Sequence, residues 1–368
     1  MSAHLLITAS GEGERLEYAR QFCQSFVSES SHRPRILFGR NVYARELIQR
    51  YAIQGVVDDF CSDSHFEGVP VIRSTQIPCD ALVLVLSGGR PLTVKDQLAK
   101  LNVSQLDYFA FQKHAGVDLR PIVFNEGFAA DFERNQARYE WVDSLLTEQA
   151  SREVFRKLIS FRFKADIELL RGFTYREPEQ YFEPFLNFQD QGEVFYDVGC
   201  FDGYTSKEFI RHCPGYQAVH AFEPENANVQ VCLRNLANFA NTTVHPFGLS
   251  NVSASLRMSS AGSGSTLCEH GEQAIRVEQL DALDLIAPTL IKMDIEGAEP
   301  FALQGARQTI IAHHPRIAVA VYHQSMAFAP LWQIPELVLS FRPDYEVRLR
   351  HYTESIYETV MFFLPKRG

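Results

Sequence analysis

Two stretches hold the residue types and spacings that can do chemistry: Glu193 to Glu225, and Ile291 to Glu299. In the first, an apolar run from Val194 to Val198 carries Asp197 and ends in Gly199, Asp202 and Gly203. An amphipathic segment follows, and a second apolar run, Ala218 to Phe222, ends in Glu223 and Pro224. Strand, glycine turn, helix and strand with a terminal acid make half of a nucleotide-binding βαβ unit. A right-handed crossover brings Asp197, the Gly199 turn and Glu223 out along one sheet edge, where open α/β sheets bind their ligands. Glu223 is placed to accept the two hydroxyls of a ribose. The turn reads Asp197-Val-Gly199-Cys-Phe-Asp202-Gly203, so the second glycine of a dinucleotide site is replaced by Phe201 or Asp202. That glycine lets the backbone approach a pyrophosphate. An acid in its place is a poor neighbour for a pyrophosphate and suits a cofactor with a positive charge and an amino-acid tail. A structural turn beside a surface carboxylate is the plainer reading, but turn, helix and terminal acid arrive together.

Three further pieces accompany this unit: Ala221-Phe-Glu-Pro224, Asn235, and the run Ile291-Lys-Met-Asp294-Ile-Glu296-Gly297-Ala-Glu299 with Gly305-Ala306 after it. With the turn, they resemble S-adenosylmethionine-dependent methyltransferases, most closely the FkbM family, over roughly residues 190 to 364. Cys200 stands where that family commonly has Ala, and is small enough to pack there. The resemblance implies S-adenosylmethionine as cofactor, with Asp197, Gly199, Cys200, Asp202, Gly203, Glu223, Ser250 and Asp294 as its binding residues. It also implies a small-molecule or glycan acceptor, methylated on a hydroxyl of a sugar, polysaccharide or secondary metabolite. A hydroxyl acceptor is served by a general base within hydrogen-bond reach. The candidates are His323, at the end of a strand from Arg316 to Tyr322, and Asp294, with Glu296 next. A divalent metal held by Asp294 and another acid would instead lower the hydroxyl's pKa; no ligand set for it is assigned. Lys292, inside an apolar strand, must reach a carboxylate or water. The resemblance also implies that the aromatic stretch before the domain lies over the cofactor pocket, with Tyr175, Tyr181 or Phe182 touching the methyl donor or acceptor, and His351 to Tyr357 offers a border for the acceptor site.

These residues require an α/β scaffold. The expected fold is a seven-stranded Rossmann-like methyltransferase sheet with a terminal antiparallel hairpin, over residues 191–368. A smaller Rossmann-like α/β domain over 33–125 precedes it, with a lead-in helix in 1–32 and a helical linker and aromatic cover over 126–190. The first domain resembles the amino-terminal domain of sugar O-acyltransferases, with a strand from Arg35 to Gly39 and another from Gly55 to Asp59. Gly39 and Asp58 or Asp59 have the spacing of a nucleotide site, yet Gly39-Arg40-Asn41 has no second glycine. A structural or dimerising domain is the preferred reading, which makes a homodimer an expectation. Within this region Asp107 to Phe111 reads as a strand, and Asp131 to Leu146 as one helix. The glycine-serine run after Met258 reads as a mobile loop.

Bulk properties bound the function. At 368 residues and 46% hydrophobic, the chain is long enough for two domains. A net charge of -10 with scattered bases speaks against a nonspecific nucleic-acid partner. No run of 18 apolar residues is present for a membrane span. The 7 cysteines show no metal-ligand spacing and fit reduced thiols of a cytoplasmic protein. Two alternatives remain: an NAD(P)- or nucleotide-sugar-binding enzyme, and a non-catalytic scaffold that retains the methyltransferase fold.

Overall fold

The structure, a computed structural model, describes residues 5–259, 266–267 and 273–366. The chain divides into two compact units: one of residues up to 134, 155–175 and 352–357, the other of residues 135–154, 176–351 and 358 onward.

The first unit is built on a six-stranded sheet of order β3-β4-β2-β1-β5-β6. Its strands are β1 Arg35–Phe38, β2 Gly55–Val57, β3 His65–Phe66, β4 Val69–Ile72, β5 Leu82–Val85 and β6 Ser104–Asp107. All pairs are parallel except β3 with β4. β5, Leu-Val-Leu-Val, is buried along its whole length, as a strand covered on both faces must be. Helices α1 Glu12–Val27, α2 Val42–Arg50, α3 Pro91–Ala99, α4 Tyr108–His114 and α5 Phe128–Arg134 accompany the sheet. The segment expected as a strand, Asp107 to Phe111, is mostly α4. Asp107 ends β6, and its carboxylate accepts the Ala110 N–H, so it is a helix N-cap rather than a strand start.

The second unit contains α6 Gln136–Leu145; α7, Gln149–Lys164, follows it in the chain. The helix expected over Asp131 to Leu146 is thus two, α5 and α6, which meet at Asn135. The main sheet has seven strands in the order β16-β17-β15-β14-β7-β8-β9. These are β7 Val194–Val198, β8 Ala218–Phe222, β9 Thr242–His245, β14 Leu290–Met293, β15 Arg316–Ala320, β16 Tyr345–His351 and β17 Thr359–Pro365. Five run parallel, and β16 and β17 form the antiparallel hairpin at one edge. Helices α8 Tyr204–His212, α9 Asn226–Leu236, α10 Glu299–Gly305, α11 Arg307–His313 and α12 Pro330–Phe341 connect and cover it. Phe195, Val198, Ile291, Met293, Val319 and Phe362 form its solvent-free centre. A small second sheet, β10-β13-β11-β12, comprises β10 Gly248–Leu249, β11 Ala254–Ser259, β12 Thr266–Leu267 and β13 Gln273–Glu278. The loop expected in the glycine-serine run falls largely on residues 260–265, outside the described residues.

The order of the main sheet reverses between β7 and β14. The chain runs outward from β7 through β8 to β9, then returns to β14 and runs outward the other way. Such a switch point opens a crevice at the strands' carboxyl ends. Register places Lys292 beside Asp197, and Asp197 beside Ala221. None of the described helices is long and apolar enough to cross a membrane.

Candidate active site at the β7/β14 crevice

A cavity of about 500 Å³ lies at this switch point, within the range that holds nucleotide-sized ligands. Its floor is the β7–α8 turn. Gly199 has φ 77°, and a Cβ there would fall inside the van der Waals radius of the Asp294 carbonyl oxygen. Gly203 has φ 82°, and a Cβ there would stand 2.9 Å from the Cys232 sulfur. Only glycine gives both the left-handed conformation and the close approach. Phe201, at φ 50°, also takes the left-handed form, and its ring is partly exposed in the crevice. Asp202 lines the cavity; its carboxylate accepts the Tyr204 N–H and its carbonyl oxygen accepts from Asn235. Cys200 lines the floor with its sulfur 3.5 Å from that of Cys232.

Glu223 ends β8 and faces the cavity. Its two carboxylate oxygens accept the Phe201 N–H at 3.1 Å and the Glu225 N–H at 2.8 Å, which fixes its direction. Burial raises its pKa, and the hydrogen bonds from those amides offset part of the rise. Leu249, Ile275 and Val277 give an apolar wall on the side of the small sheet.

Asp197 and Ser250 lie elsewhere. Asp197 is fully buried beneath the turn, where it accepts from Ser206 at 2.7 Å and pairs with Lys292 at 3.1 Å. Lys292 also donates to the Gly199 carbonyl at 2.7 Å, so the pair holds the turn and α8 on the sheet. Burial lowers the Lys292 pKa, but attraction to Asp197 and Asp294 outweighs it, and the ammonium is held above its ordinary value. The buried Ser250 bonds through its N–H to Glu278, its carbonyl oxygen packs against Gly305, and it does not line the cavity.

The far end of the cavity is built from β14, β15 and β17. Asp294 follows β14, and its two oxygens face the hydroxyls of Tyr181, at 2.8 Å, and Tyr322, at 3.4 Å. Glu296 sits in the next turn at φ 57° and also lines the cavity. Burial pushes its carboxyl up to about 7, although His323 pulls the other way. His323 is buried behind these two acids and does not itself line the cavity. Its Nδ1 meets Glu299 Oε1 at 2.7 Å, while its Nε2 is 3.4 Å from Asp294 and 3.7 Å from Glu296. Burial alone would lower its pKa; Glu299, Asp294 and Glu296 together outweigh that and raise it to about 9. His323 thus sits behind the cavity wall as a partner of these acids.

Sequence reasoning missed Gln180, Tyr322, Glu299 and Glu358. Glu358 lines the cavity and accepts from Gln180 at 2.6 Å; burial pushes its carboxyl up to about 7. Glu299 looks in the sequence like a helix-start acid, but it has no exposure and accepts the Ile295 N–H as well as facing His323. Of the three cover aromatics, Tyr181 lines the cavity. Phe182 stacks on His212, and Tyr175 belongs to the first unit, where Arg90 lies 4.4 Å above its ring. Tyr352 to Tyr357 likewise belong to the first unit.

Among the described residues, the acids lining the crevice are Asp202, Glu223, Glu225, Asp294, Glu296 and Glu358, against the one base Lys292. A doubly wound sheet with an antiparallel terminal hairpin and a nucleotide-type crevice at its switch point has the architecture of the α/β methyltransferases. Residues 197–352 match the family model of the Methyltransferase FkbM domain, so the second unit carries an FkbM methyltransferase domain. The crystal structure of the methyltransferase FkbM from Methylobacillus flagellatus KT matches 96% of this chain and 99% of its own, with a TM-score of 0.74 and 22% identity, which shows a shared fold. An rRNA methylase from Streptococcus thermophilus covers 50% of this chain and 92% of its own, with 13% identity and a TM-score of 0.33. A precorrin-6y C5,15-methyltransferase from Geobacter metallireducens GS-15 covers 50% and 83%, with 15% identity and a TM-score of 0.32. No curated protein matches the chain.

Proposed function

We propose that this protein is an S-adenosylmethionine-dependent methyltransferase whose acceptor is a hydroxyl on a sugar, polysaccharide or secondary metabolite. The observation that carries the reading is the sign of the crevice. Among the described residues, six acidic side chains and one lysine line it, and that lysine is already bound to Asp197 and the Gly199 carbonyl. A sulfonium cofactor fits such a field, whereas a pyrophosphate finds neither a free base among the described residues nor the second glycine.

The residues present fit the cofactor. The Gly199 turn leaves room for its amino-acid tail, Glu223 is held ready for the ribose hydroxyls, and Leu249, Ile275 and Val277 offer an apolar slot for the base. When bound, S-adenosylmethionine supplies an electrophilic methyl group, and the electron pair of the broken carbon–sulfur bond stays on sulfur. The chain's own residues must then align the acceptor oxygen with that methyl and take its proton. Asp294, fixed by Tyr181 and Tyr322, orients the hydroxyl. Glu358, buried in the cavity wall and held by Gln180, accepts the proton and passes it to solvent. His323 keeps Asp294 and Glu296 in place from behind.

Incubation with methyl-labelled S-adenosylmethionine and a panel of monosaccharides, polysaccharides and hydroxylated metabolites tests the reading. The expected product is a methyl ether stable to alkali. Label found only on amines, or as an alkali-labile ester, would contradict hydroxyl specificity.

A further inference from the structure

The first unit has a cavity of its own. About 430 Å³ in volume, it lies at the carboxyl ends of β5 and β6 and falls within the size range of small-molecule sites. Two helix faces wall it. Glu12, Arg15, Leu16 and Ala19 recur on α1 at the spacing of one helical face, and Asp107, Ala110, Lys113 and His114 do so from the N-cap of α4 onward. Val85 and Leu106 line it from the sheet, and Ala165 and Ile167 from the chain after α7. Ala165 stands at φ 57°, a left-handed position at a helix end that commonly takes glycine.

Most polar groups on this wall are engaged within the chain. Arg15 pairs with Asp166 at 2.5 Å, Lys164 with Glu12 at 2.8 Å and Lys95 with Glu168 at 2.7 Å, while Lys113 donates to the Phe163 carbonyl. The rim bases are thus matched by the chain's own acids and offer little to an anion. Asp107 is the group left over. One of its oxygens accepts the Ala110 N–H at 2.9 Å, and among the described residues no side chain donates to the carboxylate. Burial pushes its carboxyl up to about 6, although that N–H and the charge of Lys95 pull the other way. A carboxylate has lone pairs for several donors, and one partly removed from water stands to gain from another. An apolar cavity with such an acceptor on its wall suits a ligand with an apolar body and one donor.

We propose that this cavity binds a compact, largely apolar molecule through a hydroxyl that donates to Asp107. It is a second small-molecule site, and it does not depend on the methyltransferase reading.

Phenol and toluene, alike in size and differing in the hydroxyl, are titrated into the whole chain by calorimetry. Phenol is expected to bind at one site per chain and at least tenfold tighter than toluene, because a polar group on the wall rejects the analogue that leaves it unpaired. Asp107→Asn keeps a side chain able to cap α4 and is expected to weaken phenol by about tenfold, since a bond to a charged acceptor becomes one to a neutral amide. Leu16→Trp, at a half-buried position on the α1 wall, fills the cavity and is expected to abolish binding of both probes. A melting curve for each variant shows that it is folded, and because the two act from different walls, either one that folds decides the matter. A folded wild type that binds neither probe at millimolar concentration overturns the proposal. So does toluene that binds as tightly as phenol, or phenol binding that a folded variant of either kind leaves unchanged.

Discussion

Both units are doubly wound sheets with a glycine at the end of a central strand, yet the two glycine turns have different surroundings. In the second unit the Gly199 turn opens into a cavity, and Glu223 at the end of the neighbouring strand directs its carboxylate into it. In the first unit the corresponding elements are consumed locally. Gly39 packs against Leu86 and Ser87; Asn41 caps α2 and donates to the Leu86 carbonyl. The acids at the end of β2, spaced like ribose ligands, are also spent. Asp58 accepts the Phe60 and Cys61 N–H groups and pairs with Arg40, and Asp59 accepts the Ser74 N–H. The turn after β5 is covered by the chain itself, since Ser355 donates to the Gly88 carbonyl and Tyr357 packs on Gly88. The pair teaches that strand, glycine and acid in sequence define a sheet edge, and that the cavity lined by Glu223 is what sets the second unit's edge apart.

That contrast can be broken, and the largest effect is expected at Gly199. Gly199→Ala places a methyl on the Asp294 carbonyl oxygen in a left-handed conformation, so cofactor binding should vanish and the melting temperature should fall. Gly39→Ala, whose Cβ would meet its neighbours at 3.6 Å, should cost only the strain of its φ of 115° and affect no cofactor titration. Next comes the buried pair beneath the active turn. Lys292→Met leaves Asp197 buried and uncompensated, and should destabilise the protein by about 3–5 kcal/mol in denaturant unfolding. A smaller effect is expected from Glu223→Ala, which removes the ribose acceptor; cofactor affinity should drop by about 10- to 100-fold, the loss of hydrogen bonds to a charged group worth about 1.5–3 kcal/mol. Asp58→Ala should leave the same titration unchanged.

The smallest effect concerns acid stability of the first unit. Glu168 bonds Arg171 and Lys95, and chiefly the Arg171 contact lowers its carboxyl to about 2. A carboxyl depressed on folding stabilises the protein above its unfolded pKa, about 4.3, and that contribution is lost as pH falls toward 2. Glu168→Gln should therefore lower the melting temperature slightly at pH 7 and not at pH 2, measured by calorimetry across that range. A difference that persists unchanged at pH 2 would mean that the ion pairs are not its source.

The sequence displayed those parts of the site that lie within one strand–turn–helix step. The turn glycines, Asp202 and Glu223 sit where apolar runs end, and both chain direction and sheet edge follow from that pattern. Lys292 was legible as a charge needing a partner because nothing else in β14 is polar. Less legible were residues whose meaning depends on a partner far along the chain. Glu299 has an ordinary excuse in the first turn of α10, and only its meeting with His323 gives it another role. Glu358 and Gln180 stand 178 positions apart and carry no local signal. Ser250 follows the short β10 and does not line the cavity, and Asp107 reads as a strand start because a strand end and a helix cap share one residue there.

The central claim is that the crevice at the end of β7 and β8 binds a sulfonium nucleotide through Glu223. Calorimetry with S-adenosylmethionine, with NAD in a parallel cell and Glu223→Ala beside the wild type, tests it most directly. The account predicts binding of S-adenosylmethionine at one site per chain, weakened in the variant, and none of NAD. A folded, ligand-free wild type that binds no S-adenosylmethionine, or that binds NAD in its place, would contradict it.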